Sequence, residues 1–186
     1  MKKRLRKYAF PALLLLLLAT SGFAQQRDPL TDSETDQLRE LAQEPEKRLK
    51  LILKFTRARM ATLEQIQGDP RLMAADRGNQ VHNLLEDITS LTDELDDNID
   101  DYMDKKLDIR KALKEVIEAD TDFQLKLRTL HDRAMSSKEF SNFNFALQTA
   151  TEAVNGSLDS ARQSLQEQEQ TIQEEKEREK KKQKKE

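Results

Sequence analysis

The stretch NQVHNLLEDITSLTDELDDNIDDYMDKKLDIRKALKEVIEADTDFQLKLRTLHDRAM, residues 79–135, opens a run that continues to Asn155 without a Gly or a Pro. Apolar residues recur in it in alternating steps of four and three. The series is Val81, Leu85, Ile88, Thr92, Leu95, Ile99, Tyr102, Lys106, Ile109, Leu113, Val116, Asp120, Phe123, Leu127, Leu130 and Ala134, and 13 of these 16 positions are apolar. A heptad seam of that length marks long helices that pack side by side. The fold class is all-α.

Two arrangements fit the seam. The first is an elongated antiparallel coiled coil with a long central helix over about 70–135. No breaker occurs there, the heptad phase passes through intact, and Asp97, Asp100, Asp101 and Asp104 would crowd a helix C-terminus, where the helix dipole disfavours anions. The alternative is a compact four-helix bundle with a turn near 104–108. Asp108 would then cap a new helix, and the helix lengths would lie closer to the usual three or so turns. The continuous helix is the expected form.

Towards the C-terminus, Ser136 and Glu139 have capping-box spacing, and Phe140, Phe143, Leu147, Ala150, Val154, Leu158, Ala161, Leu165, Gln168 and Ile172 mark the buried stripe of a last long helix. Gly156 is expected to kink or loosen it. Residues 174–186 hold only Glu, Lys, Arg and Gln, so they have nothing to bury and are expected to fray. Towards the N-terminus, Pro70 is expected to open the central helix, with Gly78 a weak point in it. Pro45 suits the first position of the preceding helix, which Gly68, Asp69 and Pro70 end. Its stripe is Leu49, Ile52, Phe55, Arg59, Leu63 and Ile66, and the dense apolar group Leu51 to Phe55 predicts packing against more than one neighbour. The helical domain is thus expected over 45–173.

Residues 25–44 read as a flexible leader and a short helix, which Thr31 and Glu34 open with a capping box. Residues 1–24 have the form of a secretory signal: Lys2, Lys3, Arg4, Arg6 and Lys7 precede a Leu-rich run, and Gly22 and Ala24 suit cleavage before Gln25. The expected address is periplasmic or secreted, with no membrane span after cleavage. Removing five basic residues from a chain with 32 basic and 35 acidic ones leaves a net charge of −8. An acidic exported protein is a poor candidate for nucleic-acid binding. With 36% charged, 36% hydrophobic and 5% aromatic residues, there is material for thin helical layers rather than a thick core.

Parts for catalysis are scarce. The chain has no Cys, two His and no Gly-rich phosphate loop, so no enzyme activity, cofactor or small-molecule substrate is expected. Di-iron bundles place Glu three residues before a metal-binding His, whereas Asn79 and Arg128 stand there before His82 and His131. His82 is expected to meet Glu86 one turn later. Asp93, Asp97, Asp100, Asp101 and Asp104 share one helix side, opposite Leu95, Ile99 and Tyr102. They are weak candidates for a divalent cation, because they lack the alternate spacing and the central Gly of a calcium loop. A solvated face is the simpler reading.

Lys106 and Asp120 interrupt the apolar seam, where a polar residue can set register or oligomeric state; the simpler expectation is that they reach the rim. Phe140, Phe143 and Phe145 form the densest aromatic group. The first two fit the core stripe and Phe145 lies off it, which makes the three possible partner contacts.

Leu30, Thr31, Asp32, Ser33 and Glu34 resemble the opening of the repeat in the Spy and CpxP group of periplasmic chaperones, with Glu34 where that motif has Gln. A holdase in this chain would use the apolar surfaces Leu51 to Phe55 and Phe140 to Phe145. From the residues themselves, the expected function is non-enzymatic protein–protein interaction or scaffolding in the cell envelope, by a protein partner or self-association, with the holdase and a weak cation-binding module as alternatives.

Overall fold

The structure is a computed structural model that describes residues 27–69 and 71–183. The expected signal at 1–24 and the last three residues of the tail lie outside the described residues. Among the described residues five helices follow one another: α1 (Asp32–Glu40), α2 (Pro45–Gly68), α3 (Ala74–Asp104), α4 (Arg110–Ala134) and α5 (Phe140–Gln183). No strand occurs among the described residues. The fold is an all-α bundle, with α2 to α5 as its four long members and α1 attached to α2.

The continuous helix expected over about 70–135 is not formed; the alternative, with a turn near 104–108, is. Helix α3 ends at Asp104, and Lys106 takes the left-handed conformation at φ 56°. Lys106 N–H donates to the Met103 carbonyl (2.9 Å) and Leu107 N–H to the Tyr102 carbonyl (3.0 Å), the paired bonds of a Schellman ending. The heptad phase survives because both flanks of the turn enter the same core: Tyr102 and Ile109 are buried, while Lys106 between them is exposed. Asp108 holds the new helix from one residue further out than expected. Its carboxylate accepts from Arg110 N (3.3 Å) and Arg110 Nε (2.9 Å), and this guanidinium lowers its pKa to about 2.

A side chain from far along the chain completes the turn. Gln168 of α5 donates to the Leu107 carbonyl (2.6 Å) and accepts from Ile109 N–H (3.2 Å), so one amide satisfies backbone on both sides of the reversal.

Chain reversal at this turn does not make α3 and α4 neighbours. Helix α3 packs on α2 and α5, and α4 packs on the same two, which leaves α3 and α4 on one diagonal and α2 and α5 on the other. Cross-links give the directions. Arg48 meets Glu94 and Arg59 meets Asp87, so α2 and α3 are antiparallel; Lys114 meets Glu169 and Gln124 meets Asn155, so α4 and α5 are too. By contrast, Lys50 to Glu115 and Lys126 to Glu64 run α2 parallel to α4, as Arg77 to Glu139 and Ser157 to Asp96 run α5 parallel to α3. The core is one apolar cluster through all five helices, from Leu38 to Ala161.

Local signals elsewhere largely become structure. Thr31 and Glu34 form their capping box, Pro45 lies in the first turn of α2, and Ile52, Leu53 and Phe55 are buried with Leu51 half-buried, in a helix that packs on α1, α3 and α4. Helix α3 starts at Ala74 rather than at Pro70. Gly78 is a contact rather than a weak point: a Cβ there would lie 3.0 Å from Asn142 Nδ2 and 3.5 Å from Glu139 Cβ, so its bare backbone lets α5 approach. Ser136 and Glu139 do not cap α5. Its first residue is Phe140, and Glu139 instead binds Arg77 Nε at 3.0 Å through both oxygens. Helix α5 passes through Gly156 and continues as exposed helix to Gln183, where fraying was expected. Its last 11 described residues, 173–183, extend roughly 16 Å with no buried side chain.

Candidate functional site

Charged side chains gather at the α1 end. Arg59, placed on the buried stripe of α2, reaches Glu34 through Nη1 (2.8 Å) and Nη2 (2.7 Å), the Pro29 carbonyl (2.8 Å) and Asp87 (3.6 Å). Arg27 closes the group on Asp87 at 2.5 Å. The Arg59 guanidinium first, and the Thr31 backbone bond after it, hold the Glu34 carboxyl at about 2 against the opposing effect of burial. At Asp87 burial wins and raises the pKa despite the two arginines. These four residues fasten the leader and α1 onto α2 and α3.

Beside that network, α3 and α5 leave an open groove of about 620 Å³. His82, Glu86, Asp87 and Asp93 line its α3 side, Arg27 one end, and Phe145 with Ala146 and Thr149 its α5 side. Phe145 is 79% exposed. The other two aromatic candidates divide as their stripe implies: Phe143 is buried and Phe140 half-buried, in an edge-to-face pair 5.6 Å apart. His131 stacks edge-on to Phe140 at the same spacing, and His82 Nε2 meets Glu86 at 3.2 Å. The two histidines therefore have different partners near the start of α5.

The acidic candidates are dispersed. Leu95, Ile99 and Tyr102 face the core, and Asp93, Asp97, Asp100, Asp101 and Asp104 are exposed on the other side. Asp93 borders the Phe145 groove, Asp100 and Asp104 line a second groove with Ser164, and Asp101 pairs with Lys105 Nζ at 2.6 Å. Among the described residues no three acidic or histidine side chains are grouped closely enough to hold a metal.

One acid in the same run does turn inward. Asp96 accepts a 2.7 Å hydrogen bond from the Ser157 hydroxyl of α5, and Asp120 of α4 lies against the same pair. Asp120, expected at the rim, is 1% exposed, and its Oδ2 has no hydrogen-bond partner. Ser157 is fully buried. Burial, with the neighbouring acid as a further cause, raises Asp120 to about 7, while the Ser157 hydroxyl and Arg57 of α2 act in the opposite sense. Asp96 rises to about 6, again from burial first, with Ser157 opposing and Asp100, Asp93 and Asp97 adding to the rise. Three helices therefore meet in a layer with two acids, one hydroxyl and, among the described residues, no cation in direct contact. Asp120 was marked in sequence as a break in the seam. Asp96 stands out in sequence only as one member of the acidic run 93–104, and nothing there pairs it with Ser157, because their meeting depends on α3 and α5 running parallel.

Comparison of the chain with protein-family models, with curated proteins and with solved structures found no match in any of the three. Among the described residues, no helix is long and apolar enough to cross a membrane.

Proposed function

We propose that this is an exported, non-enzymatic helical protein of the cell envelope that acts by binding another protein. The observation that carries the reading is Phe145, a large aromatic side chain held out in solvent on the wall of a 620 Å³ groove whose opposite wall is acidic. A solvent-exposed aromatic beside a polar rim is the usual chemistry of a binding anchor. The absence of Cys and the pair of unclustered histidines argue in the same direction, since a nucleophile and its base would have to come from elsewhere. Export rests on the Lys/Arg-then-Leu pattern of the first 24 residues.

Placing a photo-crosslinking phenylalanine analogue at 145 and irradiating in an envelope extract tests the proposal. One discrete adduct, lost when unlabelled wild-type protein is added as competitor and retained when the Phe145→Ser variant is added instead, is the expected result. No adduct at 145 would overturn it. Adducts with many unfolded clients would overturn it in favour of a holdase that uses the Phe140 to Phe145 surface.

A further inference from the structure

We propose that the Asp96–Ser157–Asp120 layer is a proton-operated latch, closed while the acid pair keeps at least one proton and loosened when both carboxyl groups ionise. The geometry begins with the hydrogen count. Ser157 has one hydroxyl proton and gives it to Asp96. Its oxygen can still accept, but Asp120 offers it nothing unless Asp120 carries a proton of its own. A protonated Asp120 completes a chain of donors from α4 through α5 to α3, in which every step runs one way. An ionised Asp120 leaves a buried anion with Oδ2 unpartnered, facing a second carboxylate.

The surroundings offer little to neutralise that charge. From α2, Arg57 acts on Asp120 across a distance too long for a hydrogen bond. From α3 come Asp96 itself and, around it, Asp93, Asp97 and Asp100, all of the wrong sign. From α5 comes the Ser157 hydroxyl. With Asp96 near 6 and Asp120 near 7, the folded pair binds protons that the unfolded chain, with ordinary aspartates near 4, has already released. Stability therefore falls as pH rises from about 4 through about 7, and the layer that fails holds α4 against α5 and faces the diagonal α3. The bundle is tightest in mild acid.

Thermal unfolding of the full chain at pH 5.5, 7.0 and 8.5 tests the latch, with Asp120→Asn and Asp96→Asn as the two variants. Every other titratable group is the same in all three proteins, so the difference between proteins isolates the layer. The wild type is expected to lose roughly 5 °C or more in Tm between pH 5.5 and 8.5. Asp120→Asn, an uncharged isostere of the closed form, is expected to lose less than half of that and to melt above the wild type at pH 8.5. Asp96→Asn is expected to move the same way by a smaller step. A wild-type Tm that is flat or rises with pH overturns the latch, as does an Asp120→Asn slope equal to the wild-type one, or failure of both neutral variants to fold.

Discussion

Two polar inclusions interrupt the apolar core, and they solve the cost of buried charge in opposite ways. At the α1 end, Glu34 and Asp87 are met by Arg59 and Arg27 through hydrogen bonds of 2.8 Å or less, and Glu34 stays ionised down to about pH 2. In the middle of the bundle, Asp96 and Asp120 share one serine hydroxyl and are pushed to about 6 and 7. Both places contain carboxyl groups packed among apolar side chains. The difference between Glu34 and Asp120 is the guanidinium: the hydrogen bonds from Arg59 outweigh burial at Glu34, no cation touches Asp120 and burial favours its acid form, and Asp87 lies between, its two arginines opposing burial without overcoming it. The first inclusion ties an appendage to the bundle at every ordinary pH, and the second makes the bundle itself sensitive to pH.

The comparison can be broken most sharply at its cation. Arg59→Ala strands Glu34 and Asp87 without their shared partner, and should cost about 3 kcal/mol at pH 7 in urea unfolding. A loss below about 1 kcal/mol would mean that α1 does not depend on the network. Next comes the acid pair: Asp120→Asn should raise stability by about 2 kcal/mol at pH 8 and by little at pH 5, read from urea midpoints at the two values. An equal gain at both would trace the effect to packing rather than to charge. Glu34→Gln should lose about 1.5 kcal/mol at pH 7. Because the folded Glu34 pKa lies below its unfolded value, that loss should hold above pH 5 and vanish as pH falls through the window from about 4.5 to 2, the reverse of the Asp120 trend. Smallest is Lys106→Gly, which relieves the left-handed residue of the 105–109 turn. It should gain about 0.5–1 kcal/mol with no dependence on pH, and so gives the background against which the other three are read.

How much of this was visible in the chain follows from which contacts are local. The buried faces of α2, α4 and α5, the Thr31–Glu34 box and the Pro45 start are set within a few residues, and the apolar spacing states them directly. The break at 105–109 was only an alternative, because the residues that make it give no breaker signal. A lysine fills the position that glycine usually takes, and the turn is held by Gln168, some 60 residues away. Heptad continuity from Tyr102 to Ile109 reflects a shared core rather than a shared helix. The same reason hid the acid pair. Asp120 stood out as a polar residue in an apolar seam, but its partners come from α3 and α5. Nothing in a one-dimensional pattern says that α3 lies diagonal to α4 and parallel to α5. The groove beside Phe145 was half visible, as an aromatic off its stripe, and needed the Arg27 and Asp93 walls from elsewhere in the chain.

The central claim is that one acid pair in the middle of the bundle titrates near neutrality, and the side-chain carboxyl ¹³C shifts of labelled aspartate, followed from pH 3 to 9, read it directly. Two resonances with apparent midpoints between about 5.5 and 7.5, each altered when the other acid is replaced by Asn, are the predicted result. If the resonances of Asp96 and Asp120 both titrate below pH 5, the buried pair does not hold its proton and the account is wrong.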